Sequence, residues 1–272
     1  MYKFLKRNFF IALTIIGILF TFIPEGFFSK VNLFFDISIN KKILLNRILF
    51  FMIVFILVII FDFLYLFLRK TININGHNYK IKIRYGNLLK EKKCKKIISF
   101  DECFSTNVGN SPAHINPTSI CGQYLESNPI ENIQTLINNA GLEPMGTMSK
   151  YQSKCRYESG KLVPNNNDLL LSFAKLNESG NAELTYDQFL ECLSTLWEEI
   201  NKYYGQKDIA ISILGSGVTR FDGGNKLTQQ ELLDIIILSY KLTKHKIKNP
   251  YKLRIVCFKK DDFSLNKIGD VI

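Results

Sequence analysis

The chain has 272 residues, 47% of them apolar, and a formal net charge of +11. That leaves room for one domain of about 150–200 residues and a second segment beside it. Six cysteines without a CxxC pair and only three histidines speak against a zinc site, and no metal is expected.

The second segment comes first in the chain. No residue from Asn8 to Pro24 is charged, and from Ile48 to Leu68 the only charge is Asp62. A bilayer-spanning helix needs about 20 such residues. Lys3, Lys6 and Arg7 would also suit a signal peptide, but no small-x-small cleavage site follows and a second apolar run comes soon after. A two-helix transmembrane hairpin over 1–70, with spans of 8–24 and 46–68, is the reading adopted. Basic residues lie before the first span and densely after the second, against Lys30, Lys41, Lys42 and Arg47 between them. This bias predicts a two-pass protein of the bacterial inner membrane with both termini in the cytoplasm. Scattered single thiols (Cys94, Cys103, Cys121, Cys155, Cys192, Cys257) fit a reducing compartment and are taken as small core residues. An acid inside a span is a functional candidate by default, but Asp62 lies only seven residues before Arg69, and simple hydration at the bilayer edge is slightly favoured.

From Lys80 to Lys96 there are eight Lys or Arg against one acid, Glu91. Beside a span, contact with anionic lipid is preferred, at about 1 kcal/mol per charge. No nucleic-acid-binding motif accompanies the stretch, and no nucleic-acid partner is expected. Tyr79 to Tyr85 alternates with period two and predicts a strand ending at Gly86-Asn87. Lys96 to Phe100 predicts another. Asn128 with Glu131 is expected to cap a helix carrying Ile130, Ile133, Leu136 and Ile137, stopped by Gly141. Leu169 to Leu176 is a third strand. Thr185 and Gln188 form a capping box for a helix that turns Phe189, Leu193, Leu196, Trp197 and Ile200 inward and closes near Gly205.

Ile209 to Arg220 organises the rest. Ile209 to Ile213 predicts a strand buried in a sheet, Gly215-Ser216-Gly217 a sharp turn, and Thr228 with Glu231 a second capping box. Glycines let backbone N–H groups converge into an anion nest. Strand, glycine loop and helix in that order hold phosphate at the carboxyl edge of an α/β sheet. A lone G-x-G is more often just a tight turn, and neither a third glycine nor a P-loop lysine is present. Leu253 to Phe258 is the last strand. Alternating strands and helices over 71–272 predict a three-layer α/β domain.

These pieces resemble a macro domain, and more closely the macro domain of membrane-anchored effectors of the Thoeris anti-phage systems. The resemblance rests on Gly86-Asn87-Leu88, Asp101-Glu102-Cys103-Phe104, Ile115 to Leu125, Arg156 to Gly160, Asp168 to Leu171, Leu196 to Ile200 and Leu214 to Arg220. Cys121 stands where the family commonly has His, Asp101 where it has Asn, and Asn87 where it has Asp. The resemblance implies an α/β/α domain with a mixed central sheet that binds an ADP-ribose derivative. Asn87 would meet the adenine and Asp101 the ribose hydroxyls, although Asp101 also suits capping of the local turn. Ser119 and Gly122 would form a second loop across the ligand. Gly215, Ser216, Gly217, Val218 and Thr219 would hold the diphosphate, with Arg220 adding a charge unless it pairs with a helix acid.

The resemblance further implies a signal, histidine-conjugated ADP-ribose, made from NAD by a partner TIR-domain protein. Binding would drive self-association, disruption of the inner membrane and abortive infection. No cofactor and no catalytic role are expected on this reading. The alternative is a membrane-tethered ADP-ribosyl hydrolase with Asp101 as its base; no nucleophile–base pair is legible. A degenerate fold used as a passive anchor is a third, disfavoured by the intact glycine loop.

Overall fold

The structure, a computed structural model, describes residues 2–30, 38–110, 114–217, 219–221, 224–260 and 263–270. It divides into two compact units, Met1–Arg69 and Lys70–Ile272, a boundary one residue before the expected one.

The first unit contains α1 (Tyr2–Phe22), α2 (Glu25–Lys30) and α3 (Ile39–Leu68). Both α1 and α3 are long and apolar enough to cross a membrane. At 1.5 Å per residue the 30 residues of α3 run about 45 Å, more than a hydrocarbon core of about 30 Å. It starts seven residues before the expected span and takes in Lys41, Lys42 and Arg47. Aromatic edges join the helices: Phe9 meets Phe51 and Phe55 at 5.6 and 6.0 Å. The Arg47 guanidinium lies 5.5 Å from the Phe20 ring and 5.6 Å from Phe28. Asp62 corrects the hydration reading. Its carboxylate pairs with Arg7 and accepts from Asn8 Nδ2 at 2.9 Å, so the acid of α3 is tied to α1.

The second unit is built on one sheet of nine strands: β1 (Thr71–Gly76), β2 (Tyr79–Tyr85), β3 (Cys94–Asp101), β4 (Leu162–Asn165), β5 (Asp168–Leu176), β6 (Ala182–Leu184), β7 (Asp208–Ser212), β8 (Arg220–Phe221) and β9 (Leu253–Cys257). Their order is β1-β2-β9-β7-β3-β5-β6-β8, with β4 also on β5. Strands β2, β9, β7, β3 and β5 run parallel, while β1, β4 and β6 pair antiparallel, so the sheet is mixed as expected. Among the described residues four α-helices cover it: α4 (Ile120–Ser127), α5 (Ile133–Asn139), α6 (Tyr186–Tyr203) and α7 (Gln229–Leu242).

Period-two alternation separates two cores. Ile97, Ile209, Ile211 and Ile255 join Phe189, Leu193 and Trp197 of α6 and Leu232 and Ile236 of α7. The next residues along, Ile98, Ala210 and Val256, belong to the opposite core with Tyr124 and Leu125 of α4 and Ile137 of α5. Central β7 is buried at every position, which is why it reads as a run rather than an alternation. Trp197 is core, its Nε1 donating to Ser239 Oγ at 3.1 Å. Both capping boxes form, Thr185 with Gln188 and Thr228 with Glu231.

Two expectations change. Asn128 does not open a helix: it ends α4, its N–H donating to Tyr124 O, and Asn132 caps α5 through a bond from Thr135 N at 3.1 Å. A residue before proline avoids helical angles, and Pro129 follows Asn128. Nor are all six cysteines core: Cys155 is exposed and Cys103 half-buried.

Candidate functional site

Because the five central strands are parallel, their carboxyl ends share one edge, at Tyr85, Cys257, Ser212, Asp101 and Leu176. The loops after β2, β3 and β7 therefore emerge together, as ligand-binding loops do in open α/β sheets.

After β7 the chain turns at Gly215, with φ +81° and a Phe221 ring atom 3.0 Å from where a Cβ would stand. Ser216 is committed to the turn, its hydroxyl donating to Ile213 O at 2.7 Å. Gly217 is exposed, with nothing within 4 Å of the place a Cβ would occupy. Val218 lies outside the described residues. Thr219 is buried, and Arg220 is exposed on β8, its guanidinium without an ion pair among the described residues, so the helix-acid reading of Arg220 is not what the structure has. A cation that the sequence did not single out stands by: Lys260 Nζ donates to Ser216 O at 3.4 Å.

After β2, Asn87 caps a short 3₁₀ turn at Leu88–Lys90, its Oδ1 accepting from Leu89 N at 2.9 Å. The chain also enters the sheet here, since Lys70 O accepts from Tyr85 N at 3.2 Å and Thr71 pairs with Arg84.

After β3, Asp101 Oδ1 accepts from Cys103 N at 2.8 Å and from Ser105 N at 3.1 Å. The carboxylate caps its own turn, leaving Oδ2 as the oxygen free of these bonds. Burial pushes its pKa up, and the backbone donors oppose the shift. Ser119 caps α4, its Oγ accepting from Gly122 N at 3.0 Å and donating to Asn116 O at 2.7 Å. Gly122 is required sterically, because a Cβ there would stand 2.3 Å from Asn116 O. The Tyr124 hydroxyl accepts from Asn165 at 3.0 Å, beside the amino end of β5. The start of α4 accordingly points to the carboxyl edge. Cys121, in place of the family histidine, is a buried thiol whose pKa burial drives far up, so it stays neutral. Burial lifts Cys103 to about 11.

The Lys80 to Lys96 stretch is less free than its composition suggests. Arg84 pairs with Glu91, Lys95 donates to Tyr203 O, and Lys96 pairs with Asp168 at 3.5 Å. Lys80, Lys90, Lys92 and Lys93 are the exposed cations of this stretch. Among the described residues no three of His, Cys, Asp and Glu gather as a metal site would need.

A cleft of about 270 Å³ opens at the same edge, but beyond Asp101: it is lined by Glu102, Lys150, Arg156, Lys175, Glu183 and Thr185 among others, and by none of the residues singled out as ligand contacts. Its lining comes from well-separated stretches, so no local pattern could have pointed to it.

Sheet order and the glycine loop on the central strand define an α/β domain of the macro type. The family model described as Thoeris protein ThsA, Macro domain, matches residues 81–258, and the chain belongs to that family. A Thoeris protein ThsA of Bacillus amyloliquefaciens (strain Y2) is 26% identical over 225 residues, covering 78% of this chain and 73% of that protein. Among solved structures, the Oceanobacillus iheyensis macrodomain with ADP is 12% identical at a TM-score of 0.49, covering 74% of this chain and 94% of its own. The macrodomain of Thermus aquaticus DarG is 14% identical at a TM-score of 0.38, over 66% and 98% respectively.

Proposed function

We propose that the protein is a membrane-anchored anti-phage effector whose macro domain binds an ADP-ribose-derived signal, histidine-conjugated ADP-ribose made from NAD by a partner TIR-domain protein. The observation that carries this reading is the Gly215–Gly217 loop at the end of the most buried strand, open at Gly217, with Arg220 and Lys260 beside it, in a chain that also has two long apolar helices. Backbone N–H groups and two cations suit a diphosphate.

On this reading the protein is a sensor rather than an enzyme: Asp101 spends one oxygen on its own turn. Ligand binding drives self-association, and the apolar helices then breach the inner membrane, with both termini in the cytoplasm. To move a resting population from 1:99 to 99:1, the ligand must favour the assembled state by about 5.5 kcal/mol.

The test is dye release from anionic liposomes carrying the full chain. Histidine-conjugated ADP-ribose is expected to trigger release and NAD to leave the vesicles intact. Binding without release, accompanied by cleavage of the conjugate, would replace this account with the hydrolase.

A further inference from the structure

The two sides of the sheet are covered unevenly. On one side Ile72 and Ile74 of β1 and Ile81 and Ile83 of β2 join the core formed with α6 and α7. On the other side the second core reaches β9 at Val256 and contains no residue of β1 or β2. Register fixes what the uncovered face displays. Thr71 opposes Arg84, Asn73 opposes Lys82, Asn75 opposes Lys80, and Lys82 is level with Arg254 of β9. Directly opposed residues share a face, so these side chains form one polar surface. We infer that this surface docks on anionic lipid headgroups, an inference that rests on the membrane anchoring proposed above and not on the nucleotide.

The face is basic once its own pairs are counted. The acids that meet it are both taken, Glu91 by Arg84 and Arg254, and Asp208 by Arg254. Arg254 also donates to Lys92 O at 3.1 Å, so the segment after β2 is held against the face and Lys90, Lys92 and Lys93 border it. Lys80, Lys90, Lys92 and Lys93 are exposed and Lys82 is half-exposed. None of the five has an ion pair or a side-chain hydrogen bond among the described residues.

The chemistry of the face selects among anionic partners. Single-stranded nucleic acid is held on aromatic platforms. Here the aromatics of β2 alternate onto the other side, Tyr79 against Tyr240 and Tyr85 against Phe263. What remains is a sheet surface of Thr, Asn and Lys. Ammonium groups on flexible stems are point charges that follow mobile phosphates without fixed geometry. In chain order the face comes directly after the second apolar helix, with only Arg69 and Lys70 between α3 and β1. Lysines clustered beside a span are drawn to anionic lipid.

The test is lysine footprinting of the full chain reconstituted in vesicles, by N-hydroxysuccinimide acetate and mass spectrometry. One set of vesicles is phosphatidylcholine, the other equal parts phosphatidylcholine and phosphatidylglycerol. Acetylation of Lys80, Lys82, Lys90, Lys92 and Lys93 is expected to slow by about fivefold in the anionic vesicles, the factor that corresponds to about 1 kcal/mol per charge. Lys150 and Lys244, exposed elsewhere on the domain, should react equally in both. In 1 M salt, where the Debye length is about 3 Å, the difference should vanish. Equal labelling of the five lysines in both vesicles, or equal slowing of Lys150 and Lys244, overturns the inference. So does protection in phosphatidylcholine that grows with protein density, which assigns the face to a second copy, or protection by added RNA but not by phosphatidylglycerol, which assigns it to nucleic acid. A chain that does not float with phosphatidylcholine vesicles overturns the membrane anchoring, and the docking face with it.

Discussion

The two edges of the sheet handle charge in opposite ways. At the amino edge, Arg254 lies between Asp208 and Glu91, pairing with both and donating to Lys92 O, while Glu91 also takes Arg84. Asp208 in addition accepts from Lys252 N at 3.0 Å. Arg254, Asp208, Glu91 and Arg84 thus partner one another there. At the carboxyl edge Arg220 and Lys150 have no ion pair among the described residues, and Lys260 reaches only a carbonyl. One set of charges stabilises the fold; on the function proposed above, the Gly215–Gly217 loop with Arg220 and Lys260 serves a ligand. Substitutions should separate the two sets cleanly.

The largest effect is expected from Arg254→Ala. It strips Asp208 of its charged partner and leaves a mostly buried carboxylate, a change that costs about 3 kcal/mol. Denaturant unfolding should show that loss, while the affinity for nucleotide stays within twofold of the wild type, measured well below the melting temperature. Gly217→Glu is the converse. Space is open around that position, so the melting temperature should hold. A carboxylate placed in the anion loop should weaken nucleotide binding by on the order of a hundredfold.

Thr228→Ala tests the helix that follows the loop, and should cost about 1 kcal/mol at neutral pH. Bonds from the Thr228 N–H and hydroxyl hold the Glu231 carboxyl below its usual range. A depressed carboxylate stabilises the fold above its unfolded pKa, about 4.3, and the contribution disappears as pH falls through the lower folded value. The difference between Thr228→Ala and wild type should therefore shrink in acid.

The smallest effect is expected at Asp101. Its raised pKa means that the folded state takes up a proton before the unfolded one does, so its ionisation lowers stability as pH rises through that window. Asp101→Asn keeps an oxygen for Cys103 N and Ser105 N without a charge to bury. The melting temperature at pH 7 should rise by on the order of 2 °C, and this pH slope should vanish.

What the sequence made legible follows the same division. β7, the glycine loop and the two capped helices could be read because each carries a local physical signature: a continuous apolar run, a turn that needs positive φ at Gly215, and side chains three residues apart that bond reciprocally. Ser119 and Gly122 came from resemblance, and the structure supplies their physics as a cap and a close backbone approach. The strands β1, β4, β6 and β8 escaped notice. β4, β6 and β8 have four, three and two residues, too few for a pattern, and β1 alternates isoleucine with asparagine, a poor strand former. α4 was hidden by its brevity and by Gly122 within it, which in turn moved the expected cap from Asn132 to Asn128. Asp62 could not be resolved from one helix alone, since its partners Arg7 and Asn8 lie 55 and 54 residues away. The cleft was invisible for the same reason: its cations come from separate loops and strands that only the fold brings together.

The most direct test of the open carboxyl edge is calorimetric titration of ADP-ribose and its histidine conjugate into the full-length wild type and Gly217→Glu, at matched melting temperatures. The account predicts saturable binding by the wild type, tighter for the conjugate, and loss of both in the variant. Undiminished binding in Gly217→Glu would contradict it, because the anion would then be held somewhere other than the Gly215–Gly217 loop.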